Sequence, residues 1–270
     1  MTVITISRGS KSMGTAVADQ VAETLGYECL SRAVLLEASE QYDIPEIKLA
    51  KAMQDAPSIL ERLGHRKHSY VACVQSALAR HVARDDIVYH GYAGHMLLKN
   101  VSHVVKVRIV AGMEHRVSIV MHQESLSEAD AFHYIQKMDK GRQKWTKSLY
   151  GVDPTDVTLY DLVLNVPRFG MEDAADLICR SARLKQFAST PDSKRDMADL
   201  VLACEVKAAL VEEHPDVAVT SKSGNVLVYS AAGDRHGRKV RSQVESLCQS
   251  IDGINNIEVH VGAAAPESAV

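Results

Sequence analysis

Val3, Ile4 and Ile6 open the chain as a β-branched apolar run that breaks at Ser7 into a polar loop reaching Gly14. The apolar period then changes, with Val17, Val21 and Leu25 recurring at i, i+4 and i+8 until Gly26 stops the helix. The same grammar repeats downstream. Tyr27 to Leu30 predicts a short second strand, and Ser31 caps a helix from Arg32 to about Tyr42 with Val34, Leu35 and Ala38 inward. Pro45 and Pro57 break residues 43–64 into short helices and loops. Val71, Val74, Leu78 and Val82 then mark a helix from about His68 to Arg84, ahead of an apolar strand at Ile87 to Tyr89. Val104 to Val110 is the clearest strand, followed by a helix carrying Glu114, His115 and Arg116. Ser127, with Asp130 in the capping-box position, predicts a helix reaching Tyr150. A strand from Tyr160 to Val166 and a helix from Met171 to about Phe187 complete the series.

Strands alternating with helices predict an α/β fold: a three-layer parallel sheet with helices on both faces and the ligand at the strands' C-terminal ends. This grammar spans residues 1–188. Residues 189–195 are small, polar and proline-containing, and read as a linker. Residues 196–262 then follow a different order, α-β-β-α-β, with a hairpin between Val217–Thr220 and Val226–Tyr229. The tail, 263–270, reads as disordered.

Composition narrows the partners. A hydrophobic share of 46% and a net charge of -3 give no reason to expect nucleic acid. Cys29, Cys73, Cys179, Cys204 and Cys248 form no C-x-x-C pair, which argues against a zinc or disulfide framework and fits a reducing cytosol. The histidines form no H-E-x-x-H or Cys/His quartet, so they read as scattered surface or core residues. With neither a signal segment nor a membrane-spanning run, a cytoplasmic protein that is not integral to a membrane is expected.

Two stretches carry candidate chemistry. Strand, small-residue loop and helix N-terminus from Ile4 to Gly26 make an anion site of backbone N–H groups and the positive helix end. Gly9 and Gly14 have P-loop separation, but Thr15 and Ala16 stand where its lysine and magnesium-binding hydroxyl would be. In the second stretch, Lys137, Lys140, Lys144 and Lys147 share one helical stripe while Met138, Arg142 and Trp145 fall on another, against the single acid Asp139. The stripe reads as a solvated lysine face or as part of a phosphate site. Arginine suits bidentate phosphate contact.

These stretches resemble the cytidylate-kinase-like family of P-loop nucleoside monophosphate kinases. The family's S-R-x-x-G-S-G-G-R loop is matched at Ser7, Arg8, Ser12 and Gly14, and its helix end at Leu25-Gly26-Tyr27. DIVYHGYAGHMLL and VVKVRIVAGMEHRV resemble two further segments, and DKGRQKWTKSLYGVDPTDVTLYDLVLNVPR resembles the lid and final strand, with Arg142 at the lid arginine. The resemblance implies a P-loop kinase-like sheet and transfer of phosphate from ATP, with Mg2+, to a nucleoside monophosphate such as CMP or dCMP. It places Arg8, Gly9, Ser10, Lys11, Ser12, Met13, Gly14 and Thr15 around the donor phosphates. Lys11 and Arg142 would be the catalytic cations, Ser12 the magnesium ligand, and Arg32, Tyr92 and Arg108 the acceptor contacts, with Arg116 a further candidate.

Lys11 and Met13 stand where the family has glycines, and Tyr92 where it has an arginine. These departures motivate the alternative of a catalytically silent, nucleotide-binding regulatory protein. Residues 196–262 resemble a BON domain in VKAALVEEHPDVAV, GNVLVYSAAG and GINNIEVHV. That implies a binding module for an unknown protein or lipid partner.

Overall fold

The computed structural model describes residues 2–9, 12–31, 33–54, 65–91, 93–98, 100–230, 240–244, 246 and 251–270. Five parallel strands, β1 (Val3–Arg8), β2 (Glu28–Leu30), β3 (Ile87–Tyr89), β4 (Val104–Val110) and β5 (Leu162–Asn165), form one sheet in the order β2-β3-β1-β4-β5. β1 pairs with β3 on one side (Val3 opposite Ile87) and with β4 on the other (Val3 opposite Val104). The expected α/β architecture is the one observed.

Strand alternation divides the core into two layers. Val3, Ile87, Tyr89 and Val104 face helices α2 (Ala33–Tyr42), α3 (Glu46–Gln54) and α4 (His65–Val82). Ile4, Ile6, Val88, Val105, Val107 and Ile109 face α1 (Gly14–Leu25) and α7 (Met171–Ala182). α5 (Met113–Glu124) and α6 (Glu128–Tyr150) pack on each other through Val117, Val120, Ala131 and Ile135. The Ser127 side chain caps α6 by accepting from the Asp130 N–H at 3.2 Å, as its sequence position predicts. The helix expected to reach Phe187 ends at Ala182, and a 3-10 turn covers Lys185–Phe187.

The stretch read as a linker is the start of helix α8 (Pro191–Leu210). Thr190 accepts from the Ser193 N–H at 3.1 Å while the Ser193 hydroxyl accepts from the Thr190 N–H at 2.9 Å. Proline and hydroxyl residues that suggest a linker are also the residues that start helices, and here they do the latter. Met197 and Leu200 of α8 then join the core layer of α2 and α4, and Arg80 of α4 pairs with Glu205 of α8 at 3.3 Å.

A second sheet has the order β6-β7-β8, with β6 (Ala218–Lys222) antiparallel to β7 (Asn225–Ser230) and β7 parallel to β8 (Asn256–Val261). The hairpin is as expected. The tail is not free: the Val270 N–H donates to the Val219 carbonyl at 3.0 Å, and the Val219 N–H donates to Val270 at 3.3 Å along the edge of β6. Among the described residues, no helix is long and apolar enough to cross a membrane.

Candidate functional site

The site begins where β1 runs out. Met13 takes a left-handed conformation (φ 65°), and α1 starts at Gly14 with no cap hydrogen bond from the Met13 side chain at its N-cap. Uncapped N–H groups at the positive end of a twelve-residue helix suit an anion. A Cβ on Gly14 would lie 2.8 Å from both Cβ and Cδ of Arg8, so glycine is required there for the arginine to cross the helix start. Ser12 is fully buried, and its hydroxyl donates to the Gly9 carbonyl at 3.0 Å. The residue expected to hold magnesium is therefore turned inward and braces the loop. Thr15 lies exposed on α1.

A cavity of about 920 Å³ opens at the C-terminal ends of β1, β3 and β4, between α3 on one side and α6 on the other. Its size is that of a ligand pocket. Among the described residues, five cationic side chains line it (Arg8, Arg108, Arg116, Lys140 and Arg142) against two acids, Glu46 and Asp139. Arg142 Nη1 donates to the Arg8 carbonyl at 3.0 Å, tying α6 to the end of β1. Arg116 Nη2 donates to Asp139 Oδ2 at 2.7 Å, and its Cζ lies 3.9 Å from where a Gly9 Cβ would be. Arg108 sits 5.3 Å over the Tyr160 ring and donates to the Tyr160 hydroxyl at 3.0 Å and to the Pro154 carbonyl.

His95 completes the cavity floor. It is buried against Tyr160 with ring centroids 4.7 Å apart, and its Nε2 lies 3.2 Å from the Tyr160 hydroxyl. That hydroxyl donates to the Pro154 carbonyl at 2.8 Å, which assigns the proton between the rings to His95 Nε2. Burial, then the Arg108 and Lys106 charges, push the His95 pKa down to about 3, so the ring is neutral at physiological pH. On the opposite wall, a Cβ on Gly91 would lie 2.1 Å from the Tyr89 hydroxyl, so the chain after β3 can cross that ring only as glycine.

Of the residues predicted from sequence, Arg8, Gly9, Arg108 and Arg142 meet in the cavity, together with Arg116. Gly14 and Met13 shape the loop beside it. Ser10, Lys11, Arg32 and Tyr92 lie outside the described residues. Sequence reasoning missed His95, Tyr160 and Glu46. Only Asp139 carried a signal, as the single acid in a basic helical stretch.

A sequence profile described as the cytidylate kinase-like family matches residues 3–168. The chain belongs to that family. Cytidylate kinases with which it aligns include one from Methanopyrus kandleri, 27% identical over 181 residues that span 65% of this chain and 90% of the relative. Another, from Pyrobaculum aerophilum, is 24% identical over 190 residues, 68% of this chain and 97% of the relative. An uncharacterized protein from Eubacterium ventriosum has the same fold, with a TM-score of 0.52 at 20% identity, covering 67% of this chain and 98% of its own. Within this kinase-like unit, the β1 loop, the cavity and the α6 arginine all fall inside the matched span.

Proposed function

We propose that the protein transfers the terminal phosphoryl group of ATP to a nucleoside monophosphate, CMP or dCMP, in the cavity between the β1 loop and α6. The observation that carries this reading is the Arg142–Arg8 contact, which sets a guanidinium beside the end of the phosphate-binding strand. Phosphoryl transfer needs two phosphates aligned and the charge on the moving group neutralised, with little covalent chemistry from the protein. The uncapped α1 amides hold the donor phosphates. Arg142 and Lys140 from α6, with Arg8 from β1, supply positive charge around the transferred group. Arg108, fixed by Tyr160 and Pro154, faces the acceptor from the cavity floor. Neutral His95 can hydrogen-bond there without adding charge. Lys11, Arg32 and Tyr92 belong to the same proposal through the family resemblance, as loop cation and acceptor contacts.

A nucleotide fits the uncapped helix start and the cationic cavity. A protein-held magnesium does not fit the Ser12 hydroxyl, which is fully buried and turned to the Gly9 carbonyl. That inward turn favours a second reading, a nucleotide-binding protein that does not catalyse transfer. Purified protein incubated with MgATP and each nucleoside monophosphate separates the two. ADP formation fastest with CMP or dCMP supports the kinase; stoichiometric nucleotide binding with no ADP from any acceptor supports the silent protein.

We also propose that residues 196–262 form a BON-like binding unit for a protein or lipid partner. Its α-β-β order and three-stranded sheet are compatible with that resemblance. Absence of co-sedimentation of the full chain with anionic vesicles at low salt would remove the lipid partner.

A further inference from the structure

We propose that Asp19, Cys29 and His90 form a binding site for a divalent metal ion of the zinc type, on the α1 face of the sheet beside the cavity. The site is independent of whether the protein transfers phosphate.

The topology brings the three residues together. β2 and β3 are parallel neighbours, with Cys29 opposite Val88. Val88 faces α1, and by the two-residue period of a strand Cys29 and His90 stand on that same face. The His90 N–H, bonded to the Leu30 carbonyl at 3.0 Å, continues the pairing past the end of β3. Asp19 comes down from α1, which covers this face. One ligand atom from each residue lies within 4.8 Å of the other two, and the Cys29 thiol donates to Asp19 Oδ1 at 3.3 Å.

His90 supplies the second observation. The residue is only 8% exposed, and its Nδ1 is buried without a hydrogen-bond partner. A buried imidazole with an unpartnered nitrogen, grouped with a thiol and a carboxylate, matches the donor set of a zinc-type cation. Zinc bonds of about 2.0–2.3 Å place tetrahedral ligand atoms about 3.5 Å apart, which small side-chain rotations reach from the present spacing. One sulfur, one nitrogen and one oxygen favour zinc over magnesium, which prefers an all-oxygen shell.

Charge balance also suits the site. A divalent ion bound by a thiolate, a carboxylate and a neutral imidazole makes a site of zero net charge. On binding, the thiol proton leaves to solvent and the sulfur–metal bond replaces the S–H bond. Three protein ligands leave a fourth position for water. Bound there, the ion fastens α1, β2 and the chain after β3, the segment that forms the cavity wall at His90 and Gly91.

The test uses tag-free, full-length protein stripped with chelator and titrated with Co2+, then with Zn2+. Expected is one Co2+ per chain, with tetrahedral d–d bands and a thiolate-to-cobalt charge-transfer band that equimolar Zn2+ abolishes. Cys29→Ser should remove the charge-transfer band, while Cys204→Ser, a control at a buried position of α8, should keep it. Asp19→Asn changes an exposed side chain and should weaken Co2+ binding by about tenfold or more even if Cys29→Ser fails to fold. Absence of the charge-transfer band from wild-type protein, its survival in Cys29→Ser, or an unchanged affinity in Asp19→Asn would each overturn the site.

Discussion

Arg142 of α6 reaches across the cavity and donates to the main-chain oxygen of Arg8 at 3.0 Å. The helix that borders the cavity is thereby coupled to the strand that leads into the loop before α1. Replacing Arg142 by alanine should lower kcat by about 10²–10³ while changing acceptor KM far less, because the lost charge acts mainly on the transferring phosphate. Arg142→Lys should recover only part of this, since an ammonium cannot reproduce the guanidinium's planar fork. Steady-state kinetics with varied acceptor tests both.

Gly14 tests the loop rather than α6. Alanine there puts a methyl group 2.8 Å from two carbons of Arg8 and forces either the side chain or the loop to move. Nucleotide affinity, measured by titration calorimetry, should fall about tenfold, a loss of about 1.4 kcal/mol. The melting temperature should change little, because alanine itself suits a helix.

Much of this arrangement was legible in the sequence where the signal is local. The β1 run, the period change at Val17 and the Ser127 cap each follow from a few neighbouring residues, and each is found where expected. The errors arise where tertiary contact decides. Thr190, Pro191 and Ser193 carry both a linker's composition and a helix start's chemistry, and burial of Met197 selects the helix. Ser12 matches the family pattern, yet its hydroxyl turns to Gly9 inside the loop. His95 and Tyr160 are 65 residues apart and meet only through tertiary packing across β1 and β4, the two strands that separate β3 from β5 in the sheet.

Met197 measures how far the C-terminal helix belongs to the kinase-like body. It is 2% exposed and shares a core layer with Tyr89 and Trp145, two residues that line the cavity. Met197→Ala should cost about 2–4 kcal/mol of unfolding free energy in urea, the range for truncating a long buried side chain. If α8 merely tethered a separate unit, the substitution would leave the melting of the kinase-like body unchanged.

Acid should destabilise the fold well above the range where carboxylates protonate. His95 has its pKa pushed down to about 3 by burial and by Arg108 and Lys106, whereas an unfolded histidine titrates near 6.5. Between these values the unfolded chain binds a proton that the folded chain refuses. The contribution is therefore complete above about pH 6.5 and is lost progressively as pH falls toward about 3. His90, lowered chiefly by burial and then by Arg8, acts in the same direction. Urea titrations from pH 7.5 down to 4.5 should show stability falling by up to about 1.4 kcal/mol per pH unit for His95 alone. His95→Asn removes that titration, so its stability should fall less steeply over the same window. A slope identical to the wild type would mean that His95 takes up its proton in the folded state, contrary to the neutral ring that its burial against Tyr160 requires.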